Sequence, residues 1–166
     1  MREIEFNRMA VLAYARRWAL SRNPEYYDFA EVGGDCTSFA SQCVYAGCGV
    51  MNYTPTYGWY YISGLDKSPS WSGVNYFYDF IVTNDGVGPF GEEVSPEELM
   101  PGDIIQLGTD MGRFYHTLVL TGIQNTRRGR RFFVSAHNND AYMRPLSSYS
   151  YGSIRYIHII AARDYD

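Results

Sequence analysis

Gly33-Gly34-Asp35-Cys36-Thr37-Ser38-Phe39-Ala40-Ser41-Gln42 constrains this chain more than any other stretch, because two successive glycines lead straight into a run with helical apolar spacing. Glycine pairs allow a turn through backbone conformations closed to other residues, and Asp35 is a suitable cap, so a helix is expected to open at Cys36. Phe39, Ala40, Cys43 and Val44 supply a core-facing stripe, and Gly47 stops the helix after about three turns. A cysteine in the first turn of a helix sits among unpaired N–H groups at the positive end of the dipole. Such positions draw a thiol pKa down from about 8.5 to roughly 3.5–7.5, so Cys36 is a candidate nucleophile. The competing reading is a small buried hydrophobe, the commoner fate of a free cysteine.

The other two cysteines do not join it. Cys43 lies seven residues on, about 10 Å along the helix axis, too far for a disulfide and badly placed for a shared metal, so it reads as core. Cys48 follows the helix and reads as a packing thiol. A zinc site on Cys36, Cys43, Cys48 and a histidine would need short paired spacings that are absent. Gly-x-Ser-x-Gly and His-Glu-x-x-His are absent too, which removes the serine-hydrolase and zinc-peptidase signatures.

With 166 residues and 46% apolar content the chain is read as one domain, residues 1–166, with room for a proper core. A net charge of −4 argues against nucleic acid as partner, and Arg127, Arg128, Arg130 and Arg131 around Gly129 read as a solvated hairpin tip. No apolar run reaches the roughly 20 residues of a membrane span, so no membrane insertion is expected. Nothing in the sequence fixes the oligomeric state. Aromatic residues make up 17% of the chain and crowd the segment from Tyr53 to Phe80. Most are expected to fill core, but Tyr57-Gly58-Trp59-Tyr60-Tyr61 is dense enough that some should wall a groove.

Helices come first and strands last. Asn7 can cap a helix running through Trp18, which ends before Asn23-Pro24. A further helix is expected from Val74 to Ile81, with Ser72 as its cap, and a single turn at Ser95-Pro96-Glu97-Glu98-Leu99. Beyond Pro101-Gly102 the runs Ile104–Leu107, Phe114–Gly122, Arg131–Ala136 and Ile154–Ala162 read as strands with short connections. The fold class is therefore α+β, with N-terminal helices packed on a central antiparallel β-sheet. His116 opens one of these strands, within reach of the N-terminus of a helix packed on the sheet. A thiol and an imidazole are the general recipe for a cysteine nucleophile and its base.

The Asp-Cys pair opening a helix, Leu99-Met100-Pro101-Gly102-Asp103-Ile104-Ile105 entering a strand, and Tyr115-His116-Thr117-Leu118-Val119-Leu120-Thr121-Gly122 resemble the papain-like bacterial cell-wall hydrolases of the NlpC and CHAP type. Within that superfamily the closer resemblance is to the putative amidase domain group. Asn7-Arg8, Asn23-Pro24-Glu25-Tyr26, Gly33 to Gln42 and Trp59-Tyr60-Tyr61 follow its pattern in order, with Ser38 where the group often has asparagine.

The resemblance implies a papain-like fold and hydrolysis of amide bonds in peptidoglycan or its stem peptides, with no metal or organic cofactor. Cys36 would attack the carbonyl and His116 would serve as base, then acid. The Cys36 N–H, with Tyr26 or Tyr27, would hold the oxyanion, and Tyr27, Trp59 and Trp71 would bind substrate. His137 is the choice for the group that orients His116, ahead of Asn138, Asn139 and Asp140. A hairpin centred between Thr126 and Arg127 sets His116 opposite His137, whereas centring on Arg127 sets it opposite Asn138, and a slip of one residue reverses the faces. The same cysteine chemistry could pass the acyl group to an amine instead of water, and the aromatic loop alone would also suit a non-catalytic wall- or glycan-binding module.

Overall fold

A computed structural model describes residues 1–166. The expected first helix is α1 (Arg8–Trp18), capped by the Asn7 side chain, which accepts from the Ala10 N–H at 3.0 Å. The central helix α2 (Cys36–Cys48) starts two residues after Gly34 and is capped by Gly49 in the left-handed conformation. Gly33 and Gly34 have φ of 86° and 99°, the positive region that their pairing announced. Asp35 occupies the N-cap position but makes no side-chain cap, because its carboxylate is drawn elsewhere. The short α3 (Pro69–Ser72) precedes α4 (Val74–Thr83), for which Gly73 and not Ser72 takes the cap position.

The sheet is antiparallel, with path β1-β9-β5-β6-β7-β8 and β4 paired to β9. Its members are β1 (Arg2–Ile4), β4 (Gly88–Val94), β5 (Ile104–Gly108), β6 (Phe114–Thr126), β7 (Gly129–Ala136), β8 (Ala141–Pro145) and β9 (Ser153–Asp164). A separate two-stranded ribbon joins β2 (Tyr61–Ser63) to β3 (Asp66–Lys67). β6 and β7 are joined by the two-residue turn Arg127-Arg128, the arginine tip read from sequence. Arg130 folds back from that tip to donate to the carbonyls of Pro96, Glu97 and Leu99, so it serves structure.

Alternation along the strands splits the interior in two. Ile104, Val119, Ile157 and Ile159 face α1, α2 and α4 in the larger core with Phe39, Val44, Phe77 and Ile81. Ile105, Leu107, Leu118, Leu120 and Val134 face the other way, into a smaller core closed by Leu99 and Leu146 from single 3₁₀ turns. This curled, two-faced α+β arrangement decides which side chains can reach the N-terminus of α2. No helix is long and apolar enough to cross a membrane.

Candidate functional site

The polar positions of the cysteine motif are spent mainly on holding α2 in place. Thr37 Oγ1 meets Thr117 Oγ1 on β6 at 2.9 Å. Ser41 Oγ donates to the Trp71 carbonyl at 2.8 Å and accepts from Trp59 Nε1 at 3.1 Å. Gln42 accepts from the Tyr14 hydroxyl at 2.6 Å and donates to Ser38 Oγ at 3.2 Å. The helix is thereby registered against α1, α3 and β6 before its cysteine does any chemistry.

Cys36 is 5% exposed, with its Sγ 3.8 Å from Thr37 Oγ1. Burial pushes its pKa up; hydrogen bonding from the Thr117 backbone N–H and from Thr37 opposes the rise without cancelling it. The helix N-terminus is in place as the sequence implied, but here the thiol is the favoured form. Cys43 and Cys48 are buried in the larger core, and burial raises both thiols as well, Cys48 to about 11.

His116 stands next to Thr117 in the chain but on the other face of the sheet. Its cross-strand partner is Leu107 of the smaller core, and its ring lies 6.1 Å from that of Tyr149. Burial first, then the charge of Arg144, lowers its pKa to about 4. The imidazole is thus neutral at physiological pH and is not brought to the Cys36 thiol. The cause is plain alternation: the register is unbroken from Ile104–Val119 to Leu107–His116, so His116 shares the face of Leu118 and Leu120 while Thr117 takes that of Val119. A β-bulge follows at Tyr115, since Gly108 pairs with Phe114, and it re-aims Phe114.

A histidine whose folded pKa lies below its unfolded value favours folding above the unfolded pKa of about 6.5. That contribution is lost as pH falls from there through about 4. Chemical unfolding between pH 7 and 4 is therefore expected to show a steeper loss of stability for the natural chain than for His116→Leu. Parallel pH profiles would contradict the burial of a neutral imidazole.

The pairing of His116 with His137 is corrected by the register. Val119 pairs with Ser135, so two residues on, Thr117 comes opposite His137 and His116 opposite Asn138. The difference comes from the tip, which turns between Arg127 and Arg128 by pairing Thr126 with Gly129; the bulge at Thr121 shifts the register back by one residue only. His137 is 1% exposed and uses both ring nitrogens: Nδ1 meets Asp35 Oδ2 at 2.5 Å, and Nε2 donates to the Trp18 carbonyl at 2.8 Å. With its ring stacked on Phe39 at 4.1 Å, it has no nitrogen left to orient another imidazole.

His137 instead positions the start of α2. Asp35 is the hub: Oδ1 accepts from the Phe29 N–H at 2.9 Å, and its own N–H donates to Asn138 Oδ1 at 2.8 Å. Arg22 adds a contact to Asp35 at 3.8 Å, while its guanidinium grips Asp140 through two nitrogens, at 2.8 and 3.1 Å. Asn138 and Asn139 both have positive φ, as a tight hairpin turn between β7 and β8 requires. A Cβ on Gly34 would lie 2.6 Å from Asn138 Nδ2, so the glycine also permits this close approach. The run His137 to Asp140 is a clamp on the Gly33–Cys36 loop.

Trp59 and Trp71 are fully buried, 4.9 Å apart between ring centroids, and wall no groove. Tyr26 stacks on Trp71 at 5.9 Å. Tyr27 is the substrate-binding candidate that remains at the surface, half exposed, its ring edge-on to Phe29 and its N–H bonded to the Tyr61 hydroxyl at 2.7 Å. Because Phe29 is bonded to Asp35, Tyr27 stands close in the chain to the anchoring of the cysteine loop.

One cluster was not read as a site from sequence. Asp103, fully buried, accepts from Arg8 Nη1 at 2.8 Å, His158 Nδ1 at 2.9 Å, and the N–H groups of Met100 at 2.7 Å and Ile159 at 3.0 Å. Arg8 also reaches the carbonyls of Pro101 and Ile159. These residues tie α1 to β5 and β9; the Pro101-Gly102-Asp103 turn was visible, but its partners lie far away in sequence. No group of three or more His, Cys, Asp or Glu side chains is placed to hold a metal ion.

A family model described as "Putative amidase domain" matches residues 5–160. The uncharacterized protein YhbB of Bacillus subtilis (strain 168) is 34% identical over 146 residues, covering 86% of this chain and 45% of that protein. The chain thus spans less than half the length of that relative. No solved structure matches.

Proposed function

The chain belongs to the putative amidase domain family, and from that premise we propose that it is a cysteine amidohydrolase of the papain-like NlpC and CHAP type. It cuts amide bonds in peptidoglycan or its stem peptides through an acyl-thioester on Cys36. The observation that carries this reading is the seat of Cys36, at the first turn of α2, beside Thr37, whose hydroxyl meets that of Thr117, the residue that follows His116.

His116 takes the thiol proton and Sγ attacks the amide carbon, giving a tetrahedral oxyanion held by the Cys36 N–H with Tyr27 at the lip. Collapse breaks the C–N bond, and His116 returns its proton to the departing amine. Water, deprotonated by the same imidazole, then attacks the thioester and releases the acid and the free thiol. For these steps His116 faces α2. That requires β6 to leave the register described above, in which Thr117 holds the face toward α2. Bringing the imidazole beside the thiol also removes it from the apolar surroundings that depress its basicity. His137 acts through Asp35, keeping the cysteine loop in register.

Digestion of purified peptidoglycan and of free stem peptides, with mass spectrometry of the products, tests the reading. The expected result is one class of cleaved amide, identified by a new amine and a new carboxylate. No cleavage of either substrate overturns the substrate assignment. Products carrying an added amine nucleophile in place of water would assign the chain to acyl transfer.

A further inference from the structure

The exposed aromatics of the Tyr53–Phe80 segment do not gather at Cys36. Two of them line a cleft of about 540 Å³ between the loop Asn52–Gly58, which follows the C-terminal end of α2, and helices α3 and α4. Tyr57 is 85% exposed and Tyr76 63% exposed, and neither ring stacks on another aromatic side chain. Between them the cleft presents the carboxylates of Asp79 and Asp85 and the hydroxyls of Thr54 and Thr56. None of these six side chains donates to or accepts from another protein group.

The frame around these groups is fixed. Asn52 and Trp59 exchange backbone hydrogen bonds of 2.9 and 2.8 Å, and the Asn52 and Asn84 side chains both donate to the Val87 carbonyl. Phe80 at the cleft stacks on buried Trp59 at 6.3 Å, with ring planes 16° apart. Tyr57 is held outward by a three-residue turn, its N–H bonded to the Pro55 carbonyl at 2.8 Å, with β-branched Thr56 at φ 66° in between. That conformation is costly for such a residue and persists here because the flanking bonds impose it.

The chemistry of this surface selects its ligand. No lysine or arginine lines the cleft and two carboxylates do, so an anion is excluded and a donor-rich ligand is favoured. Flat exposed tyrosine faces offer apolar surface to a ring whose edge must still make hydrogen bonds. The volume lies in the range of sites for ring-sized ligands and is wider than a cage for a small cation. We propose that this cleft is a saccharide subsite, in which pyranose rings lie against Tyr57 and Tyr76 and donate hydroxyl hydrogens to Asp79 and Asp85. Helix α2 rises about 18 Å from Cys36 to Cys48, so a sugar held here anchors a polymer well away from the bond being cut. Only the identity of that polymer as cell wall rests on the hydrolase reading; the binding itself does not.

The test is a calorimetric titration of the full chain with the β-1,4 tetramers of N-acetylglucosamine and of glucose, and with tetramethylammonium and trilysine. The expected result is saturable binding of at least one tetrasaccharide, weakened about tenfold or more, or roughly 1.4 kcal/mol, by Tyr76→Ala and by Asp79→Asn and unchanged by Cys36→Ala. Tyr76 and Asp79 are exposed, and unchanged thermal midpoints establish that both variants fold. Absence of binding to either tetrasaccharide overturns the proposal, as does binding that ignores both substitutions. Binding of tetramethylammonium or trilysine in their place overturns it in favour of a cation site. Because Cys36→Ala retains the cleft, a failure of hydrolysis and a failure of sugar binding are read separately.

Discussion

Cys36→Ala is expected to lower amide turnover by a factor on the order of 10⁴ or more, while the chain stays folded with a thermal midpoint within a few degrees of the natural protein. The magnitude is that of losing a nucleophile for which nothing substitutes: the residual rate comes only from binding and from preorganised donors. Neither Cys43 nor Cys48 can take over, because both thiols are buried in the larger core and both are held protonated by that burial. The fold should tolerate the change because the substitution removes one small buried sulfur whose side-chain contact is a long one to Thr37, whereas Thr37, Ser41 and Gln42 keep their bonds to β6, Trp71 and Tyr14. The comparison that gives the result its meaning is Cys43→Ala, which opens a small void and should cost stability with activity per folded molecule unchanged. Activity surviving in Cys36→Ala would remove the cysteine mechanism outright. Loss in Cys36→Ala with full activity in His116→Ala would keep the nucleophile and dismiss the base.

The parts of this molecule that could be read from sequence are those fixed by local backbone chemistry. Gly33 and Gly34 announce their positive φ, Asn7 announces its cap, and the β-branched runs around Ile104, Val119 and Ile157 announce the central strands. The strand β4 did not announce itself, because Gly-Pro-Phe-Gly-Glu-Glu-Val has neither alternation nor β-branched density and is a strand only by pairing with β9. In the candidate site the sequence put Cys36 at the first turn of a helix, where α2 begins, but could not tell which face His116 takes. Thr117, Leu118, Val119 and Leu120 are all buried, so alternation does not say which face of β6 meets α2, and the neighbour across β7 depends on the turn position and on an extra residue at Thr121. A single-residue bulge leaves composition and spacing untouched and turns a side chain through the sheet. The buried tryptophans illustrate a different limit. Trp59 and Trp71 look the same in sequence as Tyr57 and Tyr76, and only the partners supplied by Ser41, Tyr26 and Phe80 decide that the first pair is core and the second surface.

The largest loss of stability from a single polar residue is expected at Asp103. Replacing it with alanine should cost about 3–5 kcal/mol, the range for breaking a buried charged pair by removing one partner. Its carboxylate satisfies four donors at once, and two of them, the Met100 and Ile159 N–H groups, cannot turn away to solvent without moving the backbone. The Arg8 guanidinium would keep its carbonyl partners Pro101 and Ile159 but lose its counter-charge. For a chain of this size the midpoint should fall by about 10 °C. Asp103→Asn should recover only part of the loss, since the amide keeps one acceptor oxygen but turns N–H donors toward groups that are themselves donors. Equilibrium unfolding of the two variants, with Arg8→Met as a third, checks the argument. If Asp103→Ala unfolds within 1 kcal/mol of the natural chain, the cluster does not hold α1 to the sheet. If Asp103→Ala lowers the midpoint as expected while turnover per folded molecule is retained, the cluster acts on stability alone and stands apart from the chemistry at Cys36.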